Sequence, residues 1–293
     1  MCGIFGTIRK QRRKCDISAL RGLALVNRQR GKEALGFFDS NEAIFKRAND
    51  PIDVLADAEC TQWLDQSERD AWFIVGHTRF STRGKNIDQN AHPFQYGNVI
   101  GSHNGCIDAP QHYTVDSEHA IDMLDKNESD YQTALSDIWG YWTLSWYDNR
   151  KDELFLAMHD NTCGIVQHRG AWYFSSDPDH LATALGVRDT IVLNSGDVVS
   201  FDSNGRMKYR KKFESDMSYS YKKDRRTSGG STSYGGYSTS YTSTSTSAST
   251  KNWPEGKATE DYAGVNDPDN FVKDYDAEYR KIWEEYAKEY DAV

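Results

Sequence analysis

The sequence predicts an α+β protein in which packed sheets carry helical layers on their outer faces. Short strand-like runs outnumber helical ones. The helical runs come in clusters and do not alternate with strands, which argues against βαβ units. A strand-rich core is followed by a low-complexity remainder with nothing to pack.

The elements follow in order along the chain. Cys2 to Ile8 is a short apolar run suited to a buried first strand. Asp16 can cap a helix carrying Leu20, Leu23, Ala24 and Asn27 at helical spacing. Ala34 to Asp39 and Ala43 to Arg47 read as strands around a turn at Asn41, and Trp72 to Thr78 and Asn98 to Ser102 as two more. Ser117 to Leu124 and Tyr131 to Ile138 read as helices. Strands then dominate: Tyr141 to Tyr147, Leu154 to Met158, Gly164 to His168 and Trp172 to Ser175. Asp177-Pro178 opens a helix through Leu185. Ile191 to Leu193, Val198 to Phe201 and Met207 to Lys212 complete the core.

Of the 293 residues, 38% are hydrophobic, low for a packed protein, but the average hides a mixture. Residues 227–250 are Ser, Thr, Gly or Tyr at every position except Ala248. Such a run cannot offset its ordering entropy, so a disordered tether is expected. Residues 205–226 carry nine Lys/Arg against three Asp/Glu, and residues 251–293 six against twelve. These opposed excesses cancel, so the net charge of −9 belongs to the core. A core of that sign does not suit phosphate backbones, and nucleic acid is not an expected partner. Beyond the tether, Phe271, Tyr275, Tyr279, Ile282, Tyr286 and Tyr290 recur at steps of three or four, with Asp267 and Asp269 near the start. That spacing predicts an amphipathic C-terminal helix with an aromatic stripe, suited either to docking on another chain or to folding back. The expected division is a domain over 1–213, a flexible linker over 214–266 and the helix over 267–293.

Five cysteines (Cys2, Cys15, Cys60, Cys106, Cys163) are scattered, odd in number and without a CxxC pair. They argue against a disulfide framework or zinc ribbon and for a reducing compartment. No apolar run approaches the roughly 18 residues that span a bilayer. The opening MCGIFGTIRK lacks the order of a signal peptide. A soluble cytoplasmic protein without membrane association is expected.

Cys2 is the most informative residue. Removal of the initiator Met is favoured before a small side chain. The new first residue would hold a thiol of pKa about 8.5 and an α-amine of about 7.7–8.0. The amine can act as base to its own thiol, directly or through one water. Alone, such a Cys reads equally as a small buried residue opening a strand.

The blocks around it change the balance. MCGIFG at the start, GHTRFSTRG at 76–84, NAHPF at 90–94, HNGCI at 103–107, VDSEHAI at 115–121, SSDPDHL at 175–181 and SGDVV at 195–199 occur in one order across the core. Together they resemble the class II, or N-terminal nucleophile (Ntn), glutamine amidotransferases. The resemblance implies a four-layer αββα sandwich, the Ntn hydrolase fold, and hydrolysis of L-glutamine to glutamate and ammonia through a thioester on Cys2. It implies Asn104 and Gly105 as the oxyanion hole, and Arg79 and Thr82 at the substrate α-carboxylate. It implies Asp116 at the α-ammonium, with Arg30, His77 and His92 supporting the site by hydrogen bonding.

No cofactor is implied. His77, His92 and His103 invite a metal reading, but no cysteine or carboxylate pattern joins them, and no metal is expected.

The chain departs from the family pattern at Phe80, where Trp is common, and at Ser81, Thr82 and Arg83, where Ala-Thr-His often follows. It departs again at Ala34, where Ser is usual in the loop from Arg30 to Gly36. Arg83 is expected to alter the carboxylate end of the pocket, and Ala34 to remove one supporting hydrogen bond.

Past Lys212 the sequence offers no GxxxxGK[ST] or SGGxDS-type loop, so a stand-alone module that passes ammonia to a separate synthase is expected. The low-complexity tether fits a phage source. Two other readings stay open: an Ntn hydrolase acting on another amide, and a catalytically silent scaffold working through the C-terminal helix.

Overall fold

The computed structural model describes residues 2–213 except 11–13, 129 and 211. The linker expected over 214–266 and the helix expected over 267–293 lie outside the described residues.

The chain opens with β1 (Gly3–Arg9), α1 (Ile17–Asn27), β2 (Ala34–Asp39) and β3 (Ile44–Arg47). Two helices, α2 (Pro51–Ala56) and α3 (Ala58–Asp70), precede β4 (Phe73–Arg79). A short 3₁₀ turn at Asp88–Asn90 leads to β5 (Phe94–Tyr96) and β6 (Val99–Ile107). Helices α4 (Asp116–Lys126) and α5 (Tyr131–Asp137) follow, then β7 (Gly140–Asp148), β8 (Glu153–His159), β9 (Gly164–His168) and β10 (Ala171–Ser175). The last elements are α6 (Pro178–Leu185), β11 (Ile191–Val192), β12 (Val198–Asp202) and β13 (Met207–Arg210).

The strands form two sheets, ordered β11-β9-β10-β1-β4-β2-β3 and β13-β12-β8-β7-β6-β5. Every pairing is antiparallel. Three separate apolar clusters divide four layers. In the first, Phe5, Phe37 and Ile74 meet Leu20, Leu23 and Leu64 of the helices. In the second, Ile4, Ile8, Phe38, Phe73 and Val75 of one sheet meet Ile100, Leu154, Leu156 and Phe201 of the other. In the third, Trp142, Leu144 and Trp146 meet Ile121, Leu124 and Leu135 of the outer helices. β1 thus sends Ile4 and Ile8 to the inter-sheet core and Phe5 to the helices. A strand covered on both faces is apolar on both, which is why Cys2 to Ile8 reads as a continuous run. The order helix, sheet, sheet, helix is the expected αββα sandwich.

The caps are those the sequence foretells. Asp16 accepts the Ala19 N–H at 2.9 Å. Asp177 caps α6 with Pro178 in its first turn, and Gly186 closes it at φ +64°. Four elements escape sequence reading: α2, α3, the 3₁₀ turn and β5. β6 also runs five residues past the expected end at Ser102.

Candidate active site

Antiparallel register builds the site. Gly3 of β1 stands opposite Thr78 of β4, so the next step sets Cys2 across from Arg79, the last residue of β4. The Phe80 N–H donates to Cys2 Sγ at 3.4 Å, and the carbonyl of Phe80 lies 3.5 Å from the thiol as an acceptor. Burial pushes the Cys2 thiol above its usual range, while the Phe80 N–H and the Arg79 charge pull it back. A thiol held neutral in this way needs a base to react. Arg30 Nε donates to the Cys2 carbonyl at 2.8 Å, and the same guanidinium pairs with Asp177 at 2.7 Å. The residue bearing the thiol is thereby fixed from behind.

Gly105 sits in β6 opposite Trp142. Its φ is +148°, and a Cβ there would lie 2.1 Å from the Tyr141 carbonyl oxygen, so only glycine fits. Asn104 is 1% exposed, and its side-chain nitrogen has no hydrogen-bond partner among the described residues. Its backbone carbonyl accepts from Asn161 Nδ2 at 2.9 Å. A buried amide donor left unpaired costs about 1–3 kcal/mol. An unpaired donor of this kind suits negative charge that develops only during a reaction.

Arg79 is buried, and its guanidinium donates to the carbonyls of Arg83 at 2.8 Å and Lys85 at 3.2 Å. Burial lowers its pKa, and the nearby Cys2, Glu33 and Asp116 oppose that. Asp116 opens α4, where its Oδ2 accepts from the Ile107 N–H and its Oδ1 from the Ser117 N–H, both at 3.1 Å. Cys2, Arg79, Thr82, Arg83, Gly105 and Asp116 all line one open cleft of about 260 Å³. An arginine at one side and a carboxylate at another suit a zwitterion. Arg83 turns away into the neighbouring loop, donating to the carbonyls of Ala109, Pro110 and Tyr113. Phe80 stands at the cleft with half its surface exposed, and Ala34 is buried opposite Arg79.

Three buried imidazoles meet here: His92 and His103 in the cleft wall and His77 behind them. The rings of His77 and His92 have centroids 3.7 Å apart. His77 Nε2 is 3.0 Å from the His103 carbonyl. Burial lowers all three, His77 to about 3, His103 to about 4 and His92 well below its usual value, so all are neutral near pH 7. Among the described residues no group of three or more His, Cys, Asp or Glu is disposed to hold a metal ion.

Of the residues singled out from sequence, Cys2, Arg79, Thr82, Gly105, Asp116, His92 and His103 reach the cleft wall, with Phe80 and Arg83 beside them. Asn104 adjoins it through Gly105, Arg30 grips the Cys2 backbone, and His77 lies behind. Sequence reading missed Ser117, whose hydroxyl touches both His92 and His103. It also missed the role of Asp177, which holds Arg30.

Comparisons with known proteins place this geometry. No family model matches the chain. The glutamine–fructose-6-phosphate aminotransferase (isomerizing) of Campylobacter jejuni is 38% identical over 112 residues, 37% of this chain and 17% of that protein. The enzyme of that name from Bradyrhizobium diazoefficiens is 29% identical over 171 residues, 49% of this chain and 28% of that protein. The one from Sulfurisphaera tokodaii is 25% identical over 205 residues, 60% of this chain and 33% of that protein. The chain thus spans a third or less of each of these curated relatives. Among solved structures, glutamine phosphoribosylpyrophosphate amidotransferase from B. subtilis, complexed with ADP and GMP, superposes with a TM-score of 0.55. The identity is 17%, over 73% of this chain and 49% of that one.

Proposed function

We propose that the described residues form a class II glutamine amidotransferase domain, which hydrolyses L-glutamine to glutamate and ammonia with Cys2 as nucleophile. The observation that carries this is the convergence of Cys2, Arg79, Gly105 and Asp116 on one cleft. With Met1 removed, the Cys2 amine takes the thiol proton, and the thiolate attacks the side-chain amide carbon. The carbon–sulfur bond forms as the carbonyl electrons move to oxygen, where Asn104 Nδ2 and the Gly105 N–H receive the charge. Collapse breaks the carbon–nitrogen bond, and the amine returns its proton to the leaving ammonia. Water then attacks the γ-glutamyl thioester, with the amine again as base, releasing glutamate and the thiol.

Arg79 with Thr82 receives the α-carboxylate and Asp116 the α-ammonium. The ammonia goes to a separate synthase, since in bulk water it is protonated and no longer nucleophilic. No helix among the described residues is long and apolar enough to cross a membrane.

Purified protein is expected to release equal amounts of glutamate and ammonia from L-glutamine. A glutamine-mimicking electrophile is expected to leave its adduct on the Cys2 peptide in mass spectra. Protein fully freed of Met1 that released no glutamate would overturn the reading. Asp116→Asn is expected to raise KM for glutamine ~10- to 100-fold, the loss of one charge-assisted contact, with kcat nearly unchanged. Initial-rate kinetics on the purified variant checks this, and a fall in kcat alone would remove Asp116 from the substrate clamp.

A further inference from the structure

The reaction above gives Ser117 nothing to do, yet it lines the cleft and its hydroxyl joins two buried imidazoles of the cleft wall. Ser117 is the second residue of α4 and is 1% exposed. Its Oγ lies 2.8 Å from His92 Nε2 and 2.9 Å from His103 Nδ1. One hydroxyl carries one proton and two lone pairs, so it donates to at most one of the two rings and at least one of the facing nitrogens carries a proton. The tautomers of the two rings are therefore set through a single hydroxyl. His77 Nε2 donates to the carbonyl of His103 at 3.0 Å, because a carbonyl only accepts.

These contacts converge on His103, which is gripped by side chain and by backbone. Its carbonyl belongs to the peptide whose nitrogen is that of Asn104, and Gly105 comes next in the same strand. On the other side Ser117 follows Asp116 directly, with its own N–H donated to Asp116 Oδ1.

We propose that Ser117 is a positioning residue: through His103 it sets Asn104 and Gly105, and through Asp116 it fixes them relative to the ammonium end of the substrate. The proposal rests on the glutaminase reading and adds a residue to it. Its energetic sense is that donors aimed at a developing charge contribute only if their geometry is fixed before the reaction. A polar hub between two neutral rings supplies that rigidity without placing a charge beside the thiolate.

The test uses the full chain and two readouts. Ser117→Ala is expected to lower kcat ~10- to 100-fold, the cost of misplacing reacting groups by a fraction of an ångström to an ångström. KM is expected to stay within about threefold, since ground-state binding is not the target. Ser117→Thr, which keeps the hydroxyl, is expected to restore most of the rate, and Ser117→Cys, of similar size with a weaker donor, to fall between. In an Asn104→Ala background Ser117→Ala is expected to cost less than about threefold further, because the two act through one group. An unchanged kcat per folded molecule, a rise in KM alone, or full additivity with Asn104→Ala would overturn the proposal.

The second readout needs no turnover. Imidazole ¹⁵N spectra of the resting protein are expected to show His92 and His103 as single neutral tautomers that change in Ser117→Ala. Spectra unaffected by that substitution would overturn the hub itself. Wild-type protein that shows Ser117-dependent spectra but releases no glutamate would instead overturn the glutaminase reading. If Ser117→Ala does not fold, Ser117→Cys and Ser117→Thr carry the same comparison.

Discussion

Replacing Cys2 by Ala is expected to lower kcat for glutamate release by about 10⁴-fold or more, the order seen when a covalent nucleophile is removed from a site that acts as a unit. The cleft, the Arg79 and Asp116 clamp and the Asn104 donor all survive this change, so glutamine binding is expected to persist. Thermal stability is expected to stay near that of the parent, because the thiol stands at the head of β1 and outside the three apolar clusters. Burial has already raised the thiol's pKa, so without its base it is a poor nucleophile. Molecules that retain Met1 are therefore expected to be inactive too, since their residue 2 nitrogen is an amide. Intact-mass and rate measurements on the same preparations check both statements. A Cys2→Ala protein of undiminished rate would end the nucleophile assignment.

The second large effect is expected at Asn104. Asn104→Ala is expected to lower kcat ~10²- to 10³-fold, the usual consequence of losing one oxyanion donor, with KM almost unchanged. Stability is expected to move the other way. The amide nitrogen of Asn104 is buried and unpartnered among the described residues, so deleting it relieves a desolvation cost of about 1–3 kcal/mol. Part of that gain is offset by lost packing. A variant slower by two orders of magnitude and no less stable in denaturant is the signature of a group kept for reaction. Substantial destabilisation with an unchanged rate would mark Asn104 as structural. Gly105→Ala is a blunter probe, because its Cβ would meet the Tyr141 carbonyl at 2.1 Å and strain the backbone as well.

Much of this site is legible in the sequence because its parts lie in short blocks at the ends of strands. Cys2 and Arg79 flank the paired β1 and β4, and Asp116 opens a helix, so the spacing of the blocks follows the fold. What stays hidden has physical causes. α3 buries only Cys60, Leu64 and Ser67 along thirteen residues, too thin a stripe to stand out as a periodicity. β6 continues through His103, Asn104 and Gly105, past the expected end at Ser102, because polar residues and glycine there break the apolar run that marks a strand. The role of Ser117 depends on partners 25 and 14 residues away, contributed by a loop and a strand. No local pattern records such a meeting. The sequence sets Arg79 in a block that implies a substrate charge, but its hold on the loop carbonyls of Arg83 and Lys85 appears only in three dimensions.

The place of β1 has a consequence for how the site fluctuates. It lies between β10 and β4 near the middle of the seven-stranded sheet, and the Ile4 N–H and carbonyl are both tied to Ser176. Such a strand is released only when the whole domain opens. The segment through Thr82 and Arg83 sits differently: it is irregular and held to its neighbours by side-chain to carbonyl bonds. Segments of that kind open at low free energy. Cys2 thus heads a strand that shares the full cooperative stability of the fold, while the neighbouring rim opens many times without it. For the proposed reaction, substrate would enter and product leave while Cys2 keeps its register.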